Sequence, residues 1–330
     1  MVKPPKKLDE YVKTKPEQLA LFELLAPAQR KYSNTVELYD FIPKYHWGKQ
    51  ERIDGTLLHS LERDFECRGV RYKVRIDPAR VKGTDGLVRD YFPGQREELV
   101  EDALRKLAVA GRGLFLDDMA GVTFTLYQLQ QELKRNGHSY SKAEIKEALY
   151  ICAKTNIEVT TNDGSGVLIS SLFETLGLQT REDWKGTGAK TKAFVRFNSL
   201  VTGSIKNGTF RQFNYEKSMA YRSVIARQLH KRMAHHYTQA SITEPYHIRL
   251  TTMIRDFGLT HYERLSMNFH KVVQAIKEIQ TRDIILTYKV EKTLDSDNRN
   301  KLVEAKFIIT PHPYFVREIK EANVKQKKVK

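Results

Sequence analysis

The sequence predicts an α+β protein built from tandem winged-helix domains, each a helix-turn-helix followed by a β-hairpin wing. Three observations predict it. Residues 126–170 and 250–310 spell the same order: a short helix, a turn, a longer helix with a polar outer face, then a hairpin. The longer helices carry apolar residues at helical spacing, while the segments after them alternate as strands do. The chain also holds 56 Lys and Arg against 40 Asp and Glu, a net charge of +16. A longer helix of this kind is the shape that enters a DNA major groove, so a DNA-binding class is expected.

The first unit is read residue by residue. A helix over 95–110 carries Leu99, Ala103, Leu104 and Leu107, and Gly111 and Gly113 end it. A short strand follows at 122–124. Leu126, Leu129 and Leu133 mark a short helix stopped by Asn136-Gly137. Ser141-Lys142-Ala143-Glu144 is a capping box, so the longer helix starts there. Its buried stripe is Ile145, Ala148, Leu149 and Cys152, and its open face holds Lys142, Lys146, Tyr150 and Lys154. Strands at 157–161 and 167–170 flank the turn Asn162-Asp163-Gly164-Ser165-Gly166, which makes Asn162 part of the wing.

The second unit repeats this order. A basic helix is expected over 221–237, then a strand or turn at Ile248. A short helix with Leu250, Ile254 and Phe257 ends near Gly258. The next helix runs from Thr260 or Arg264 to Ile279, with Leu265, Phe269, Val272, Ile276 and Ile279 as its stripe. Arg264, Asn268, Lys271, Gln274 and Lys277 lie off that stripe. Arg and Lys suit guanine, and Asn and Gln suit adenine. Strands at 284–290 and 302–309 flank a polar turn with Asn298 and Arg299. The alternative is a pair of small helical domains with no DNA role.

Composition and punctuation divide the chain. Residues 1–30 read as a flexible extension, 31–200 as the first winged-helix domain with an N-terminal β elaboration, 201–318 as the second, and 319–330 as a basic tail, disordered over 324–330. The stretches 35–41 and 70–76 read as β, and 180–192 as a loop. Such a basic excess favours a polyanionic partner through counterion release. The two cysteines, Cys67 and Cys152, fit a reducing compartment and exclude a zinc-finger site. No run of about 18 apolar residues is present, so no membrane span is expected. With no secretory signal, a cytoplasmic protein is expected.

Enzyme patterns fail on inspection. Residues 186–191 lack the adjacent Gly-Lys and preceding strand of a phosphate loop. His235-His236-Tyr237 places two histidines side by side on a helix, roughly 100° apart, rather than facing one metal; they read as polar residues at the helix end. Asp295 with Asp297, and Asp117 with Asp118, read as turn formers. No catalysis, cofactor or metal is expected.

The extension holds a sharper signal. Gln18-Leu19-Ala20-Leu21-Phe22 resembles the motif by which bacterial proteins bind the sliding clamp of the replicative polymerase. Leu21 and Phe22 would fill an apolar pocket and Gln18 would hydrogen-bond beside it. The alternative is an amphipathic helix, since Leu19, Phe22 and Leu25 lie near one face.

This motif, the tandem units over 95–318, and the segments 194–198 and 218–223 resemble iteron-binding plasmid replication initiators. The TrfA-like group is nearest in flavour; RepA, RepE and pi-type initiators are broader relatives. The resemblance implies a non-enzymatic initiator that binds direct repeats at an origin, promotes opening of adjacent DNA and controls plasmid copy number. It implies the replicative helicase and host initiator as partners, and a homodimer in equilibrium with monomer. A winged-helix transcriptional regulator or autorepressor shares most of these features and stays open, as does a basic RNA-binding protein.

Overall fold

A computed structural model describes residues 31–50, 55, 57–83, 86–179, 193–262, 264–297 and 300–329. The clamp-like residues Gln18, Leu19, Leu21 and Phe22, the 180–192 loop, and Asn298 and Arg299 lie outside them.

The described residues open with strand β1 (Tyr32–Val36) and a single-turn helix α1 (Glu37–Phe41), where sequence predicts continuous strand. Asp40 is the reason. Its carboxylate accepts from the Val36 backbone N–H at 2.6 Å and closes the turn. Two hairpins follow: β2 (Leu61–Cys67) with β3 (Val70–Asp77), and β4 (Ala79–Lys82) with β5 (Val88–Tyr91).

Helix α2 (Gln95–Leu107) ends in a wider turn over Ala108–Arg112, where Gly111 takes φ +89°. Strands β6 (Gly113–Leu116) and β7 (Met119–Phe124) lead to α3 (Leu126–Arg135) and α4 (Lys142–Lys154). Then come β8 (Asn156–Thr161), β9 (Val167–Ser171) and β10 (Phe173–Leu178). The sheet order β2-β3-β8-β9 joins the N-terminal hairpin to the hairpin that follows α4.

The second half runs β11 (Ala193–Phe197), α5 (Ser199–Lys206), β12 (Phe210–Asn214), α6 (Tyr215–Met219) and α7 (Val224–His236). It continues with β13 (Tyr246–Arg249), α8 (Leu250–Asp256), α9 (Leu265–Gln280), β14 (Ile285–Asp295), β15 (Lys301–Pro311) and α10 (Pro313–Val329). Two helices and a hairpin thus occur in the expected order twice: α3-α4-β8-β9 and α8-α9-β14-β15. Helix α7 starts three residues later than sequence predicts, because Glu278 of α9 accepts from the backbone N–H groups of Arg222 and Ser223.

The expected tail is instead the end of α10. Phe315, Ile319 and Ala322 recur at helical spacing and are buried. The Arg211 guanidinium on β12 donates to Asn323 and Gln326, and Asn214 donates to Glu318 at 2.7 Å. A helix with a buried stripe and polar anchors stays folded despite its lysines.

The two halves share one hydrophobic core. β1 pairs antiparallel with β12, and β11 with β7, so each half completes sheets of the other. Between them α2 buries charge. Glu98, 0% exposed, accepts from Arg227 Nε at 3.0 Å. Lys231 Nζ donates to Asp102 at 2.6 Å, and Arg105 holds Asp40. Burial alone would raise the Glu98 pKa; the Arg227 and Lys231 charges outweigh it and hold the carboxylate below its usual range. The basic side of α7 is therefore a seam between halves.

Candidate nucleic-acid interface

In the first unit the local signals act as expected. Ser141 and Glu144 form a reciprocal cap: Glu144 N–H donates to the Ser141 hydroxyl at 3.2 Å, and Ser141 N–H to the Glu144 carboxylate at 2.7 Å. Ile145, Ala148, Leu149 and Cys152 are fully buried, which turns Lys142 and Lys146 outward. Lys142 Nζ lies 6.0 Å from the Tyr127 ring centre, and Lys146 Nζ 5.7 Å from that of Tyr150.

The far end of this face is not open. Hairpin β4–β5 lies across it. Ala79 and Val81 pack on Ile151 in a small separate cluster, with Tyr91 and Tyr150 at its edge. Lys154 Nζ donates to the Arg80 carbonyl at 3.2 Å, and Glu147 pairs with Arg96 at 2.8 Å. Tyr150 is half-buried and Lys154 tethered, where sequence reading has both on an open helix face. The hairpin is too far back in sequence for helical periodicity to reveal it. Asn162 stands exposed at the β8–β9 turn, its backbone N–H bonded to Arg71 O at 3.0 Å.

The second unit presents a fuller face. Arg264, the residue before α9, and Lys271, Gln274 and Lys277 are all exposed. Met267, 48% exposed, and His270 stand between them. Sequence reading passed over both, although each lies opposite the Val272–Ile276–Ile279 stripe. Lys271 lies 4.4 Å above the Tyr262 ring and donates to its hydroxyl.

One expected residue of this face is corrected. Asn268 is 1% exposed. Its amide donates to Thr260 O at 2.9 Å and its oxygen accepts from Tyr262 N–H at 3.4 Å. A polar side chain so close to the buried stripe is stable only with such partners. Asn268 fastens the loop before α9 instead of facing outward.

Beside α9, strands β14 and β15 form a long hairpin arm, joined at its base by β13 on the β15 edge, with exposed Lys289, Lys292 and Lys301. Lys292 Nζ sits 4.6 Å from the Phe269 ring centre, tying the arm to the helix. A cleft of ≈ 730 Å³ opens between the halves, with His46, Trp47 and Arg96 on one side and Arg222, Lys271 and Gln274 on the other. The Trp47 indole N–H donates to Phe257 O at 2.7 Å and fixes that ring.

Of the adjacent histidines at the end of α7, His235 is a core group and His236 is half-buried, and neither is a helix-end charge. His235 is 2% exposed, and burial pushes its pKa down to about 3; burial takes His236 to about 4. Neutral rings gain nothing from the helix dipole. Asp297 N–H bonds to the Asp295 carboxylate, and Asp117 and Asp118 take φ +49° and +64°, as turn residues do. Among the described residues no group of three or more His, Cys, Asp or Glu is placed to hold a metal, and no helix is long and apolar enough to cross a membrane.

These features define a basic α+β protein in which a helix–helix–hairpin unit occurs twice around a shared core. That fold is shared with domains 2 and 3 of RctB, at a TM-score of 0.50 and 9% identity, over 83% of this chain and 96% of that one. A second crystal structure of the same RctB domains gives a TM-score of 0.46 at 9% identity, over 88% and 99%. The Pi initiator protein, crystallised with iteron DNA, gives 0.44 at 14% identity, over 66% and 91%. At these identities the likeness to RctB is one of fold. No protein-family model and no curated protein matches the sequence.

Proposed function

We propose that this chain is a sequence-specific, double-stranded DNA-binding replication initiator, acting without catalysis. The observation that carries the reading is the outward face of α9. Arg264, Lys271, Gln274 and Lys277 all stand exposed there, with the lysine-bearing β14–β15 arm alongside. On this reading each helix–helix–hairpin unit is a winged helix. Helix α9 enters the major groove and its arm tracks the neighbouring backbone. Lys142, Lys146 and the Asn162 turn then contact a second segment of the same duplex, mainly through phosphates. Origin repeats as the target, origin opening, copy control, and the sliding clamp, helicase and host initiator as partners follow from the resemblance of residues 18–22, 194–198 and 218–223. So does a dimer in equilibrium with monomer.

The test is a titration of the protein against duplexes cut from the DNA flanking its gene, with a random duplex as control, across a salt series. Tight binding to an array of direct repeats is the expected result. Lys271→Ala with Lys277→Ala weakens it and, for each lysine that meets a phosphate, lowers the salt slope by about one. Equal affinity for all duplexes would defeat the specific reading. A single inverted repeat at a promoter as the bound site would favour the transcriptional regulator.

A further inference from the structure

On the reading that α9 lies in a major groove, we infer that Met267 reads a thymine through its 5-methyl group. Met267 is in the first turn of α9, the end of a groove-entering helix that reaches base edges. It is 48% exposed and lies opposite the buried stripe of Phe269, Val272, Ala275, Ile276 and Ile279. Its neighbours on that outer row are His270, Gln274 and Lys277, all exposed and polar. An apolar side chain in this row has no core to join.

Nor does helix capping explain it. The third position of a helix often carries Glu or Gln to return a bond to the cap. Here that position is Met267, and Arg264 supplies no side-chain cap. Asn268 stabilises the helix start instead, through Thr260 and Tyr262. The start of α9 is therefore held without Met267, which is left free to meet a ligand. In a major groove the thymine methyl is the apolar group on offer, and the four base pairs are otherwise told apart by donors and acceptors. A flexible thioether covers a methyl well and accepts hydrogen bonds too weakly to favour another base.

The test uses the full chain. A preferred duplex is first selected from a random pool. Each thymine is then replaced singly by deoxyuracil, which removes only the methyl. At one thymine the wild type is expected to bind the uracil duplex about fourfold more weakly, the effect of one buried methyl. Met267→Ala should bind the two duplexes equally, and Met267→Leu should restore the difference. Affinity for random duplex should be alike in all three proteins, which shows that they are folded. If no thymine shows a uracil effect that Met267→Ala removes, the assignment is wrong while the DNA-binding reading stands. If selection yields no preferred sequence at all, both fall.

Discussion

At the level of single residues, the chain hides more charge and more imidazole than its composition suggests. His230 is wholly buried, its ring edge-on to Phe213, Tyr221 and Phe315, and burial pushes its pKa down to about 3. His235 sits equally low. Their ordinary value is 6.5, so the unfolded chain takes up protons first as pH falls. Stability is thus full above about 6.5 and is lost on the way down toward 3, by about 1.4 kcal/mol per pH unit for each histidine. Urea unfolding midpoints measured from pH 7.5 to 4.5 should fall accordingly, and His230→Met should flatten the curve by one proton; an unchanged slope would count against buried, neutral His230. Residue identity conveyed little of this. Adjacent histidines at a helix end look polar until Phe41 is found packed against both rings. Asn268 leaves its expected outward place for a related reason. Helical angle separates inward from outward, but a side chain at the boundary is settled by what the preceding loop offers it, here the Thr260 carbonyl.

The elements themselves were largely legible, because their signals are local. The Ser141 cap, the Gly137 stop at φ +86° and the apolar stripes of α4 and α9 all operate within a few residues. Where a distant partner decides, the reading failed. Asp40 turns an expected strand into α1 through its bond to Val36 while Arg105 holds it, and β12 captures an expected disordered tail as α10. Two substitutions test such contacts. A Cβ at Gly121 on β7 would lie 2.5 Å from the Val195 carbonyl of β11, so Gly121→Ala should cost about 1–3 kcal/mol in denaturant unfolding. Phe315→Ala should cost about 3–5 kcal/mol if α10 belongs to the core, and close to nothing if it is an appendage.

For the whole molecule, the seam along α2 governs behaviour. Glu98 and Arg227 are 129 residues apart in sequence, yet each supplies the other's buried counter-charge. Removing either half would strand an ion in the core, which typically costs 3–5 kcal/mol. β12 would also lose β1. A fragment beginning at residue 201 is therefore expected not to fold, and the full chain to unfold in one transition; two resolved calorimetric transitions would show independent halves instead. This limits how sequence-level domain boundaries translate into separable parts. The β4–β5 hairpin adds a second consequence. It closes the outer end of α4, whereas α9 keeps Lys271, Gln274 and Lys277 exposed along its length, so a repeated fold unit yields two unlike surfaces. The molecule is a vector, not a palindrome. Any linear polymer laid across both units would meet a different chemistry when turned end for end, and copies of the chain bound to identically oriented segments of it would all point the same way.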